Sequence, residues 1–565
     1  MCQLLSNHMS SLLPGMILEE WIMPAQNVEP CTGSTSMSRR PAALIYTHCL
    51  GCAVVMGPYK LPGPPPPPNP LRHFFSALTP EAWQFHENIC QYNVALSFTS
   101  LGVQIDDSVN RGGGGPPVFK IHGELHHWIG SLLPPHGQPP VYAQLYILDS
   151  HEALDHQMKR NSGLDPDVMY CLGGLISKHH RWAHIFRQAH KVFQTSSANQ
   201  VSLQLTVNQN QDQRGYNLPT SDEVAIVVPG DGTQASSSCD IVLHQKDGSL
   251  QQVNEGSVMY ECLQYPLFFI YGEDGFHYDL TMSPDASKWL SQVNYVVYHI
   301  QQHKHEFSLL LCGGCLFQQY LVDMWVAADQ NRLNYLCYHQ SEIHATLYQG
   351  LTDAIDNNID LHDVRQRLIL PSSYTGGPQY MKQCLQDALT LAHFHRKIDL
   401  FITVTCNPNW SEITHELLLG QTAADHPDLC ARVFNMKKQA IIEDIYKHGI
   451  FGRTVAYVYT IEFQKRGLPH MHILIFLQPE DKIQTPEQVD SVVWVHWPDP
   501  QTQPTLFETV KRCMIHTYGD QCLESGKCSK GYLKSFQPHT NVNDEGWSIL
   551  RDQRDHNQQP VDRSI

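Results

Sequence analysis

The stretch that most restricts how this chain can fold is Thr460-Ile-Glu-Phe-Gln-Lys-Arg-Gly-Leu-Pro-His-Met-His-Ile-Leu-Ile-Phe476. Val455 to Ile461 is an apolar run of strand length, Gly467, Leu468 and Pro469 make a turn, and Ile473 to Leu477 is a second apolar run. That order predicts a β-hairpin. Its return strand carries His470 and His472. Side chains alternate faces along a strand, so both imidazoles point the same way. Two imidazoles on one face can share one divalent ion. Glu462 and Gln464 share a face of the preceding strand and can close the site with an oxygen ligand, while Lys465 and Arg466 in the turn suit a phosphate. The competing reading is two histidines in a sheet, each bonded to its neighbours.

Composition restricts what such a site can act on. The chain has 565 residues, enough for several domains, and 42% hydrophobic content supports buried cores. Its formal net charge is −17, so it is not a general binder of polyanions, and contact with DNA has to rely on local basic patches. From Cys430 to His470 there are seven Lys or Arg against three Asp or Glu, and from Lys511 to Ser535 five against two. The 17 cysteines are odd in number and irregularly spaced, which suits reduced intracellular thiols better than a disulfide framework. No run approaches the ~18 apolar residues of a membrane span. No Gly-x-x-x-x-Gly-Lys-Ser/Thr loop occurs, so no nucleotide cofactor is expected.

Taken in order, residues 1–70 read as a poorly ordered segment closed by a stiff linker at Pro64 to Pro68. Residues 71–195 read as a mixed α/β unit. A helix is expected from Leu78 to Gln91 with Thr79 as N-cap and Pro80 in its first turn, followed by strands at Ala95–Leu101, Val118–Ile121 and Tyr142–Ile147 and a helical stretch over Pro166–Phe193. Residues 196–285 read as β-rich, through VSLQLTV, EVAIVVPG and DIVLHQ, and end in the aromatic run LQYPLFFIYGEDGFH, for which core packing is the default. Residues 286–360 read as helical, Phe317, Tyr320, Leu321, Met324, Trp325 and Ala328 falling at the spacing of a core face, as do Leu333, Leu336 and Cys337.

Residues 365–505 carry the chemistry. An amphipathic helix from about Pro378 to Arg396 precedes a buried strand, Asp399-Leu-Phe-Ile-Thr-Val-Thr-Cys-Asn-Pro408. A second helix, about Pro427 to His448, has Val433, Met436, Ala440, Ile441 and Ile445 on its apolar face and leaves Lys437 and Lys438 free for backbone phosphate. The hairpin follows, then a proline-bearing acidic loop, Pro479 to Pro504. Residues 506–547 hold Cys513, His516, Cys522 and Cys528, ligand types that suit structural Zn²⁺, and 548–565 form a tail. The chain thus reads as a multidomain protein of α+β and α/β character.

The segment EFQKRGLPHMHILIF resembles the His-hydrophobe-His motif of the HUH endonucleases, in the form found in the Rep domain of Helitron transposases. FITVTCNPNW resembles that family's first motif, LQYPLFFIYGEDGFH and LFQQYLVDMW resemble further Helitron-like segments, and GKCSKGYLKSF resembles its cysteine region. Tyr518-Gly-Asp stands where the family has Pro-Cys-Gly, which removes one family cysteine; Cys513 can substitute. The resemblance implies an HUH-type antiparallel sheet flanked by helices, Mg²⁺ or Mn²⁺ on His470, His472 and Glu462 or Gln464, and single-stranded DNA as partner. Thr403 and Thr405 would then lie beside the DNA site with Lys437, Lys438, Lys465 and Arg466. It also implies nicking and strand transfer in rolling-circle transposition, and a nuclear location. The family's catalytic tyrosines, on a helix beyond the cysteine region, and its helicase have no counterpart before Ile565, so no catalytic residue is assigned and loss of cleavage is expected, with a non-catalytic metal- and DNA-binding module or a decaying transposon product as the alternative.

Overall fold

The computed structural model describes residues 61–105, 119–195, 250–339, 370–463 and 467–513, each with short internal gaps, together with segments at 23–24, 201–205, 225–229, 241–244, 523–524, 527–528, 539–542 and 548–549. It is a mixed α/β structure whose sheets are small and antiparallel. Among the described residues no helix is long and apolar enough to cross a membrane.

The larger core runs from Leu71 to Ala327 and is mainly helical. Helix Pro80–Glu87 starts as the sequence predicts: Pro80 occupies the first turn, where its missing N–H costs nothing, and Ala82 N donates to Thr79 Oγ1 at 3.3 Å. Asp165 caps Pro166–His179 in the same way. Two expected strands are corrected. Ala95 and Leu96 end the helix Ile89–Leu96, and only Ser100–Leu101 is extended and paired. Tyr142–Ile147 is a 3₁₀ helix, because Gln144 supplies local bonds in place of a ladder: its Oε1 accepts from Val141 N at 3.0 Å and its Nε2 donates to Ser131 O at 2.8 Å. The strands Val201–Leu205, Ala225–Pro229 and Ile241–His244 do form a sheet, with the first in the centre.

The aromatic run after Tyr260 is core. A short helix, Tyr260–Gln264, leads into turns, and Tyr265, Leu267 and Ile270 are buried. Across from it lies α1 (Cys315–Tyr338), whose Phe317, Tyr320, Met324 and Ala328 are buried. The apolar stripe stops there: Tyr335, Cys337 and Tyr338 are exposed, so the last turns of α1 are not core. Asp323 of α1 is fully buried and fully engaged. It accepts from Tyr260 OH at 2.9 Å, Tyr265 OH at 2.7 Å and His127 Nε2 at 2.7 Å. One turn back, Tyr320 OH donates to buried Glu261 at 2.6 Å, and burial pushes that carboxyl up to about 7.

The smaller core belongs to the unit that carries the hairpin. Helix α2 (Pro378–His395) precedes β1 (Leu400–Thr405), then come α3 (Pro427–Tyr446), β2 (Thr454–Phe463) and β3 (Pro469–Leu477). The three strands pair antiparallel in the order β1-β3-β2, and Met23–Pro24 adds a two-residue edge beside β2. Gly467, at φ +75°, takes the left-handed position that the hairpin turn requires. One sheet face packs on α3, through Tyr457, Tyr459, Ile461, Met471, Ile473 and Ile475 against Val433, Phe434 and Ile445. The other packs on α2, through Val458 and Phe476 against Ala388. β1 is corrected from a buried strand to an edge strand. Its residues alternate half-buried and exposed, since β3 covers one side of it only. The stretch Pro479 to Pro504 is not all loop either: Thr485 and Gln488 form a capping box that starts a helix, Pro486–Val492.

Asp323→Ala strands three buried donors. It is expected to cost about 3–5 kcal/mol, read as a lower denaturant midpoint by fluorescence of Trp182 in the same core, with Asp323→Asn milder.

Candidate metal centre

β3 is flanked on both sides, so each residue from His470 to Ile475 faces one partner on β1 and one on β2. His472 is opposite Thr403 and Thr460; His470 is opposite Thr405 and Glu462. Residues opposed in this way lie on one face, a few ångströms apart. That face is the α2 side of the sheet, because Met471, Ile473 and Ile475 alternate to the α3 side and are wholly buried. Helix α2 covers the Phe476 end of β3, where His395 meets the Phe476 ring, and the histidine end is left half-buried.

The side chains converge as the pattern of the hairpin predicts. The rings of His470 and His472 stand edge to face with centroids 4.6 Å apart. Glu462 reaches diagonally across the ladder, its Oε1 3.2 Å from His472 Nε2. Ligand atoms of Glu462, His470 and His472 all lie within 4.8 Å of one another, and theirs is the one such group among the described residues. His472 and Glu462 retain 22% and 21% side-chain exposure, enough to admit an ion and an outside ligand. Burial, with the neighbouring His472 ring second, holds His470 below the ordinary imidazole value, against the pull of Glu462. That keeps its lone pair available near neutral pH. The donor set, two imidazoles and one carboxylate at an open face, fits a divalent cation.

The other expected residues fall in different places. Thr403 and Thr405 are on the site's face, each bonded to a histidine: Thr403 Oγ1 is 3.0 Å from His472 Nδ1, and Thr405 Oγ1 2.7 Å from His470 Nδ1. Both imidazoles thus have a neighbour on Nδ1, as the competing reading expects, and His472 also approaches Glu462 through Nε2. Lys437 and Lys438 are not both free. Lys437 pairs with Glu412 and sits over Trp410. Lys438 is 3% exposed, with its ammonium over the Tyr459 ring on the α3 side, so it is not open to a phosphate on the histidine face. Gln464, Lys465, Arg466, His516 and Cys522 lie outside the described residues. Cys513 closes a helix, Pro504–Cys513, and Cys528 is in a two-residue strand paired with Leu523–Glu524.

Two features were not read from the sequence. One is the threonine–imidazole pairing, whose signal is present: a Thr-x-Thr and a His-x-His of equal spacing on adjacent antiparallel strands. The other is Phe401, which stacks on His472 with centroids 5.4 Å apart and is 54% exposed.

The sheet lies between two helices, and the Glu-His-His cluster at the open end of its central strand is compatible with a bound cation. Residues 295–475 match the family described as the Helitron helicase-like domain at the N-terminus, so this stretch of the chain is Helitron-like. The matched stretch takes in α1 and ends within β3, three residues past His472. No curated protein matches the chain.

If the cluster is the ion's ligand set, His470→Ala with His472→Ala abolishes Mn²⁺ binding in calorimetry. Loss of a direct ligand exceeds the roughly 10–100-fold typical of an outer partner. Glu462→Gln, which keeps a neutral oxygen, is expected to weaken binding less than the double variant.

Proposed function

We propose that the Helitron-like domain of this chain is a Rep-like module of the HUH type that uses a divalent cation to grip a phosphate of single-stranded DNA, a role derived from the nicking and strand transfer of rolling-circle transposition. The observation that carries the reading is the convergence of Glu462, His470 and His472 at the half-open end of the sheet. The family match over the same residues supports DNA as the outside ligand. Gln464 is a further oxygen donor for the set, and Lys465 and Arg466 in the same hairpin turn are the cations that would neutralise flanking phosphates. Cys513, His516, Cys522 and Cys528 supply ligand types for a separate structural Zn²⁺.

Among divalent ions the donor set favours Mn²⁺ over Mg²⁺, since Mg²⁺ prefers all-oxygen shells and imidazole suits the later metals. A bound ion would polarise a phosphate oxygen and offset charge developing on it. With their lone pairs engaged on the ion, the three ligands would not be free to attack phosphorus, so the proposed activity is binding, and covalent chemistry needs a further residue.

The test is fluorescence anisotropy of a labelled single-stranded oligonucleotide with the full chain. Mn²⁺ is expected to strengthen binding, EDTA and the His470→Ala/His472→Ala variant to remove it, and salt to weaken it steeply. Equal affinity with EDTA and in the double variant overturns the reading. An SDS-stable protein–oligonucleotide adduct overturns the restriction to binding and restores strand transfer.

A further inference from the structure

We propose that Thr403 and Thr405 act on the metal centre as positioning residues, through the ring nitrogens of His472 and His470, by accommodating a change of imidazole tautomer when the cation enters. The proposal rests on the metal-binding reading above and deepens it.

Each imidazole has two nitrogens, and on both rings Nδ1 faces a threonine hydroxyl, at 3.0 Å from Thr403 and 2.7 Å from Thr405. Nε2 is then the atom left for the ion, as its place on His472, 3.2 Å from the Glu462 carboxylate, requires. Without a cation, that short approach calls for a proton on His472 Nε2, because a carboxylate only accepts. Nδ1 of the neutral ring then carries a lone pair, and the Thr403 hydroxyl donates to it. A ligating Nε2 must give up its proton. The neutral ring therefore carries its proton on Nδ1 instead, which now donates to Thr403 Oγ1. Proton count and charge on the ring are the same before and after.

A hydroxyl serves both states because it is donor and acceptor in one group and turns about a single bond. A backbone carbonyl or carboxylate in that position would hold the proton on Nδ1 and preselect the ligating tautomer. A methyl would support neither form. The same logic applies to Thr405 and His470. The strand ladder sets the contacts, since Thr403 is registered with His472 and Thr405 with His470. Both threonines are exposed and lie at the edge of the sheet, so their hydroxyls bear no burden of core packing. Phe401, two residues before Thr403 on the same face, stacks on the His472 ring and limits its rotation.

The experiment compares the full chain with Thr403→Val/Thr405→Val and with Thr403→Ser/Thr405→Ser. Valine matches threonine in shape and suits a strand, so the fold is expected to persist, checked by an unchanged melting temperature. Calorimetric Mn²⁺ affinity is expected to fall about 10–100-fold in the valine variant, as for other outer partners of ligating histidines, and to return to within a few-fold in the serine variant. ¹⁵N shifts of the histidine rings without metal give a second readout. The wild type should show His472 protonated on Nε2, with the tautomers redistributed in the valine variant. Unchanged Mn²⁺ affinity in the valine variant, or equal loss in the valine and serine variants, overturns the proposal. So does loss of oligonucleotide binding at intact Mn²⁺ affinity, which would make the threonines direct DNA contacts. His470→Ala/His472→Ala separates the two levels: if it too leaves Mn²⁺ affinity intact, the metal-binding reading has failed, not the threonine assignment alone.

Discussion

The Glu-His-His cluster depends on the register of β3. Its side chains alternate with a period of two, so a slip of one residue would turn both histidines onto α3 and bring Met471 and Ile473 to the open face. Burial prevents this. Met471, Ile473 and Ile475 are completely buried, at about 1.5–3 kcal/mol each, and a slipped strand would give up that burial while shutting polar rings into an apolar layer. The polar contacts of the site are weaker, at about 1 kcal/mol for a typical hydrogen bond. The site's geometry is therefore held mainly by the face of the sheet that it does not use. Pairing on both sides then brings a carboxylate from β2 and hydroxyls from β1 to one pair of rings.

How much of this is legible in the sequence follows the distance between the parts. The hairpin and the common face of His470 and His472 are set within a few residues by alternation, and both appear as read; of the two oxygen donors expected, Glu462 lies beside the rings, while Gln464 falls outside the described residues and Pro469, read as part of the turn, begins β3. The threonines come from 65 to 69 residues upstream. Alternation in β1 indicates that Thr403 and Thr405 share a face; it cannot say that β1 is an edge strand or which residue of β3 each one meets. Lys438 fails for another reason. It sits beside Lys437 on α3, and periodicity separates polar from apolar residues without saying where a long amphipathic side chain lays its stem. Lys438 runs beneath the sheet with its ammonium on Tyr459, whereas Lys437 turns out to Glu412. Tyr142–Ile147 has strand composition throughout, and only Gln144, bonding to Val141 and Ser131, draws it into a 3₁₀ turn.

Helix α1 links the two cores. One side of it puts Phe317, Tyr320 and Asp323 into the larger core, where three donors hold the Asp323 carboxylate. Another side faces the sheet unit: Gln318 Nε2 donates to Ala424 O at 2.6 Å just before α3, and Tyr374 OH donates to Asp329 Oδ1 at 2.5 Å just before α2. The two helices that enclose the sheet are thus each tied near their N-termini to one rod, and the rod is fixed by a buried charge. The family match begins at residue 295, ahead of α1, which accords with a domain that includes this support as well as the strands.

Charge explains why a site of this composition has use for a cation before any bond is polarised. The chain is strongly acidic, Lys438 is buried, and Lys437 is neutralised by Glu412. With the imidazoles uncharged, the cluster without an ion carries the single negative charge of Glu462 and repels a phosphate. A divalent ion reverses that to a single positive charge at the same point. Two opposite charges about 4 Å apart attract by about 1 kcal/mol in water and about 4 kcal/mol at the lower effective dielectric of a protein surface. The reversal therefore changes the interaction with one phosphate by roughly twice that amount. On the proposed reading, occupancy of the cluster would set the attraction of this face for a phosphate, and the threonines beside the ring nitrogens would act on it through the ion.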